Sequence, residues 1–180
     1  MRIISGKYKG RHIPVRKNFP SRPTTDFAKE NLFNVLNNHF DFEHLQVLDL
    51  FSGTGSISYE FASRGAMVDL VEKDFRSIEF IRETIRDLQF ANINPYKTDV
   101  FRALLKLSKT YDIIFADPPF MMNNIGDLPD LVFNLHLLNM NGWFILEHSD
   151  KFAFNAHENF SQLRKYGSVH FSIFVNKSEQ

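Results

Sequence analysis

From residue 46 onward the chain alternates short apolar runs with amphipathic stretches, and this alternation limits its fold more than any other feature. Gln46-Val47-Leu48-Asp49-Leu50-Phe51 reads as a strand, residues 56–64 as a short helix stopped by Gly65, and residues 67–72 as the next strand. Ile78, Ile81, Ile85 and Leu88 form the apolar stripe of a following helix. A weaker strand over 94–98, a helix over 100–107 and a strand over 111–116 come next. A helix over 127–139, with Pro129 tolerated in its first turn, and a fifth strand over 142–147 complete the pattern. Strands separated by helices of this length need crossover connections, which predicts a doubly wound, mainly parallel α/β sheet covered on both faces. The tail departs from the pattern. Residues near 157–165 and 169–175 look extended and are joined only by Tyr166-Gly167-Ser168, which predicts an antiparallel hairpin at one end of the sheet.

A chain of 180 residues, 43% of them apolar, has room for a three-layer core and is read as a single domain over 1–180. Residues 1–40 are expected to form a basic hairpin arm and a helix, and residues 46–180 the core. The chain has no cysteine, which excludes disulfides, thiolate zinc sites and cysteine nucleophiles. Its seven histidines show no metal-ligand spacing, so no metal is expected. No apolar run approaches a membrane span and the first residues lack the apolar core of a signal peptide, so a cytoplasmic protein without membrane contact is expected.

Formal net charge is zero but unevenly placed. Residues 1–25 carry Arg2, Lys7, Lys9, Arg11, Arg16, Lys17 and Arg22 and no acid, which leaves 14 basic and 21 acidic residues in the rest. Such an arm suits a polyanionic partner, although a solvated extension would read the same way. Residues 3–4 and 12–15 suggest two short strands around a basic turn, with Tyr8 the one aromatic placed for base stacking. A helix over 26–39 follows, capped by Thr25 or Asp26.

In an open α/β sheet, ligands bind beyond the carboxyl ends of the strands. Four acids fall there in succession: Asp49, Glu72, Asp99 and Asp117. After Asp49 and Phe51 comes the turn Gly53-Thr54-Gly55, where missing side chains admit a ligand to the backbone. Glu72 is placed to accept from a ribose diol, and Asp99 from an adenine amino group. A nicotinamide dinucleotide would want a third glycine, and Ser58 stands there instead. S-adenosylmethionine carries a ribose, an adenine, an ammonium and a sulfonium but no phosphate, and it fits four acids better. The fourth strand ends in Asp117-Pro118-Pro119-Phe120. This sequence can be a turn that merely stops a strand. It can also grip an exocyclic NH2 group, with the Asp117 carboxylate and Pro118 carbonyl as acceptors, Pro119 stiffening the turn and Phe120 stacked on the ring. Glu147-His148 ends the fifth strand near the same cleft without an assignable role.

The runs Arg2-Ile3-Ile4-Ser5-Gly6-Lys7-Tyr8-Lys9-Gly10-Arg11 and Arg22-Pro23-Thr24-Thr25-Asp26, with Leu32-Phe33-Asn34, residues 49–55 and residues 117–120, together resemble the RsmD family of bacterial 16S ribosomal RNA guanine-N2 methyltransferases. The resemblance spans nearly the whole chain. It implies a class I S-adenosylmethionine-dependent methyltransferase fold, S-adenosylhomocysteine as product, and methylation of the guanine numbered 966 in the small-subunit RNA, within assembled or assembling particles. Lys7, Lys9, Arg11 and Arg22 would hold RNA phosphates. Ser5 stands where the family usually has glycine, Lys9 where arginine is usual, and Phe27 and Lys29 at positions often held by arginine. From the residues alone, two alternatives stay open: an amino-methyltransferase acting on adenine N6 or cytosine N4 of DNA or RNA, and a non-catalytic RNA-binding protein on the same scaffold.

Overall fold

The computed structural model describes residues 1–15, 19 and 25–177. Arg16, Lys17 and Arg22, with the Pro23 and Thr24 that follow, lie outside the described residues. Seven strands form one sheet: β1 (Gln46–Leu50), β2 (Met67–Glu72), β3 (Ile93–Lys97), β4 (Tyr111–Ala116), β5 (Leu138–His148), β6 (Phe160–Tyr166) and β7 (Val169–Val175). Their order is β3-β2-β1-β4-β5-β7-β6. The first five are parallel, and β7 joins antiparallel to β5 and to β6, as expected of the tail hairpin. Strand order reverses between β1 and β4, which opens a crevice at their carboxyl ends.

Helices α1 (Asp26–Asn37), α2 (Ser56–Ser63) and α3 (Phe75–Leu88) bury their apolar stripes on one face. Helices α4 (Val100–Leu104) and α5 (Leu128–Asn134) cover the other. Thr25 caps α1, its hydroxyl accepting from the Ala28 N–H at 3.2 Å. Several boundaries differ from expectation. α1 stops at Asn37 and α4 at Leu104. The helix expected over 127–139 is a 3-10 turn, Ile125–Asp127, followed by α5, which ends at Asn134 because His136 takes a left-handed conformation (φ 51°). Residues from Leu138 instead join β5, since Leu138 pairs with Tyr111 at the start of β4. A pairing partner far away in sequence decided the start of β5, and local pattern could not show it.

The arm is a hairpin of minimal length. A single antiparallel bridge, Arg2 with His12, and a few backbone bonds such as Ile3 N–H to the Arg11 carbonyl (3.0 Å) hold it. Its turn is pinned to the end of α2: Lys7 N–H donates to the Ser63 carbonyl (2.7 Å), Tyr8 N–H to the Ser63 hydroxyl (3.0 Å), and that hydroxyl to the Ser5 carbonyl (2.6 Å). Gly6 lies at φ +81°, and a Cβ there would fall 1.9 Å from the Ser63 carbonyl oxygen, so no other residue fits this approach.

Lys29, at 1% exposure, ties the arm to both helices. Its ammonium donates to the Arg2 carbonyl (2.7 Å) and the Ser56 hydroxyl (3.3 Å) and pairs with buried Glu60 at 3.1 Å. Glu60 also receives the Ile4 N–H (2.7 Å) and the Arg64 guanidinium. Lys29→Met should therefore lower unfolding free energy in urea by about 3 kcal/mol, the usual loss when one partner of a buried pair is removed. A change under about 1 kcal/mol would show that Arg64 alone satisfies Glu60.

Candidate active site

Asp49, the penultimate residue of β1, is 1% exposed. Ser58 in the first turn of α2 donates to its carboxyl at 2.5 Å, and the Ser52 hydroxyl donates to its carbonyl at 2.8 Å. Burial pushes the Asp49 carboxyl up to about 7, with the Glu72 charge adding to the rise. A cation placed beside it would lower the value again.

The loop from β1 to α2 turns through three left-handed residues: Phe51 (φ 60°), Gly53 (φ 54°) and Gly55 (φ 78°). Phe51 has a Cβ and so holds a conformation of this kind at a cost. At Gly55 a Cβ would meet the Tyr59 ring at 2.7 Å, so glycine is required on steric grounds as well. Glu72 at the end of β2 closes the loop from the other side. One of its oxygens accepts from Gly53 N–H (2.8 Å) and the other from Asp74 N–H (2.7 Å). Each oxygen retains a lone pair for a ligand hydroxyl, which is what a ribose diol needs. Asp49, Phe51, Gly53 and Glu72, though not Gly55, line a cavity of about 530 Å³, ample for a nucleoside-sized molecule.

Asp117, Pro118, Pro119 and Phe120 line the same cavity from the end of β4. Burial holds the Asp117 carboxyl well above the usual carboxylate range, and the charges of Glu147 and then Asp49 raise it further. Pro118 is buried and Pro119 exposed, and the Pro119 carbonyl accepts from Met122 N–H at 2.8 Å, which closes the turn. Phe120 is 81% exposed and Met121 90%. A phenyl ring left in water beside a cleft does nothing for the fold, but it is available to stack on a planar ligand.

Asp99 is placed differently from the other three acids. Its carboxylate caps α4, accepting from Phe101 N–H (3.1 Å) and Arg102 N–H (3.3 Å), and the cavity is lined by its neighbour Val100 instead. Lys7, Lys9 and Arg11 are exposed, as phosphate ligands must be. The turn bearing Lys7 and Lys9 sits at the Ser63 end of α2, whereas the donor-side loop enters α2 at Ser56, so about 12 Å of helix separates the two. Tyr8 is engaged within the protein, its hydroxyl donating to the Gln89 carbonyl (3.2 Å) and its ring 4.3 Å from that of Phe90. Arg22 lies outside the described residues.

Two parts of the site include residues to which the sequence assigned no role. Lys73 and Asp74 line the first cavity, and a second cavity of about 470 Å³ adjoins it across Phe120. Glu147, His148, Lys165 and His170 line this second space. The rule that drew attention to the other strand-end acids applies equally to Glu147. His148 is held by the Ser172 hydroxyl and the Ser149 carbonyl, both 2.7 Å from its ring nitrogens, and burial depresses its basicity. Among the described residues no cluster of His, Asp and Glu could hold a metal ion, and no helix is long and apolar enough to cross a membrane.

The family model described as Conserved hypothetical protein 95 matches residues 1–175. Ribosomal RNA small subunit methyltransferase D from Buchnera aphidicola subsp. Baizongia pistaciae is 30% identical over 98% of this chain and 92% of its own length. A proposed methyltransferase from Escherichia coli superposes with a TM-score of 0.86 at 26% identity, covering 99% of both chains. A 16S rRNA N2 methyltransferase from T. thermophilus, solved with AdoMet and guanosine, superposes at 0.69 with 25% identity over 88% of this chain and 45% of that one.

Proposed function

Because this chain belongs to the Conserved hypothetical protein 95 family, the RsmD family of its named relatives, we propose that it transfers a methyl group from S-adenosylmethionine to the exocyclic N2 of a guanine in 16S rRNA. Its fold is that of the class I S-adenosylmethionine-dependent methyltransferases. The observation that carries the reading is Asp117-Pro118-Pro119-Phe120 opening onto the cavity that also holds Asp49, Gly53 and Glu72. Guanine N2 is a poor nucleophile, its lone pair being delocalised into the ring. The donor supplies an electrophilic methyl on a sulfonium. Glu72 would accept the ribose hydroxyls, and the buried Asp49 and Asp117 supply negative charge where the donor is cationic. The Asp117 carboxylate and the Pro118 carbonyl draw the amine protons and aim the nitrogen lone pair. Positioning then provides most of the acceleration, and the proton leaves as the new bond forms. Phe120 stacks on a base withdrawn from its RNA context.

With its tip at the far end of α2, the basic turn would meet RNA some distance from the target base, so the surroundings of that base in the small ribosomal subunit supply part of the specificity. On this reading the protein would act in the cytoplasm, where subunits assemble. The test is incubation with donor carrying a labelled methyl and small subunits from cells lacking the gene, followed by nucleoside mass spectrometry. Labelled N2-methylguanosine is expected. Label on adenine or cytosine would replace the target while keeping the chemistry, and donor binding without label on any nucleic acid would leave an RNA-binding scaffold.

A further inference from the structure

We infer that Glu147 is the residue that reads the target as guanine, by accepting the ring N1–H while Asp117 holds the adjacent N2 amine. The inference rests on the reading of the site as a guanine-N2 methyltransferase. The sheet sets the two acids side by side. Ala116 pairs with Leu146 in the parallel β4–β5 register, so the next step brings Asp117 opposite Glu147. Because side chains alternate, both stand on the face occupied by Phe115 and Ile145. The effect of the Glu147 charge on Asp117, larger than that of Asp49, agrees with this closeness. Glu72, Asp49, Asp117 and Glu147 thus run along neighbouring strands β2, β1, β4 and β5, donor side first. Glu147 lies beyond the reacting position, 7% exposed, and lines the second cavity, which meets the first at Phe120.

A planar base stacked on Phe120 with its amine at Asp117 presents its next edge atom to Glu147. In guanine that atom is N1–H, a donor that a carboxylate accepts. In adenine both atoms flanking the N6 amine, N1 and N7, are acceptors, so a carboxylate would oppose a lone pair in either orientation. Cytosine flanks N4 with an acceptor and a carbon, and it could at best offer Glu147 no hydrogen bond. Asp-Pro-Pro-Phe alone cannot separate these amines, but a second acceptor beside it can.

The probe is 2,6-diaminopurine, which keeps the N2 amine but has an unprotonated N1. Small subunits reconstituted with either base at the target position would be compared by kcat/KM. The wild-type protein should prefer guanine by about 100-fold or more, the range set by a buried acceptor left facing an acceptor. Glu147→Gln, whose amide can donate to the bare N1, should bring the preference to within about tenfold. Donor affinity should be unchanged, and Glu147→Asp should lose rate yet keep the guanine preference. If the Gln variant loses both substrates equally or neither, Glu147 is not the reader. If the wild-type protein makes no N2-methylguanosine, the functional reading itself fails, which is a distinguishable result.

Discussion

Replacing Asp117 by alanine should slow methyl transfer about a thousand-fold, within the range expected for a positioned proton acceptor, while donor affinity stays within a few-fold. On the proposed function the carboxylate would act on the acceptor amine, at the β4 side of the cavity and away from Glu72 and the glycine turn, so single-turnover rate and donor binding should separate. Asparagine retains a carbonyl acceptor and should lose less. The pH profile is a second readout. Burial and the flanking carboxylates raise the Asp117 pKa, so the free protein holds a proton there at pH values where an ordinary aspartate would not. With donor saturating, activity should therefore fall as pH drops through that raised pKa, and this limb should vanish in Asp117→Asn. A variant that keeps wild-type turnover would reduce Asp-Pro-Pro-Phe to a strand stop.

The second large effect concerns Asp49 and opposes stability to function. Its carboxyl titrates near 7 in the folded protein, against 3.8 ordinarily, because ionising it means burying a charge. The folded state therefore keeps a proton that the unfolded chain has already released. Stability is complete below the ordinary value and declines as pH rises through 7, by on the order of 4 kcal/mol in all. Asparagine carries no charge and can still accept from Ser58. Asp49→Asn should thus melt higher than the wild-type protein at pH 8, with the gain shrinking to nothing near pH 4. The same change should weaken S-adenosylmethionine binding at pH 8 by about 100-fold, a cost in charge pairing of the kind expected for a buried partner. Donor binding to the wild-type protein should tighten as pH rises through 7 and be flat in the variant. Thermal melts and calorimetry across pH would check both halves. A variant that is no more stable at pH 8 than the wild-type protein would mean that the carboxylate is already compensated without ligand.

Natural proteins commonly hold strain and unpaired charge where they bind ligands. Phe51 in a left-handed conformation, the Asp49 carboxyl pushed up to about 7 by burial and Phe120 in water are three such departures within one cavity. Each costs the folded chain something, and on the proposed function each would be used when a cationic nucleoside and a planar base bind.

The sequence by itself determined the doubly wound sheet, the glycine turn and the cleft acids Asp49, Glu72 and Asp117, though not the placement of Asp99, because these follow from short-range periodicity and from one rule about where such sheets bind ligands. Strand ends inside the sheet were legible to within a residue or two, whereas the end of α5 and the start of β5 were not. The start of β5 depends on Tyr111 pairing with Leu138, a contact across 27 residues of chain. Only the tertiary structure decided that Lys29 is a buried ion-pair partner and not a surface cation, since its fate depends on Glu60 in another helix. Likewise it turned the basic loop toward the far end of α2 and set Glu147 beside Asp117. All three outcomes depend on register and docking between segments distant in sequence, and residue types read one neighbourhood at a time do not encode which distant neighbour each will meet.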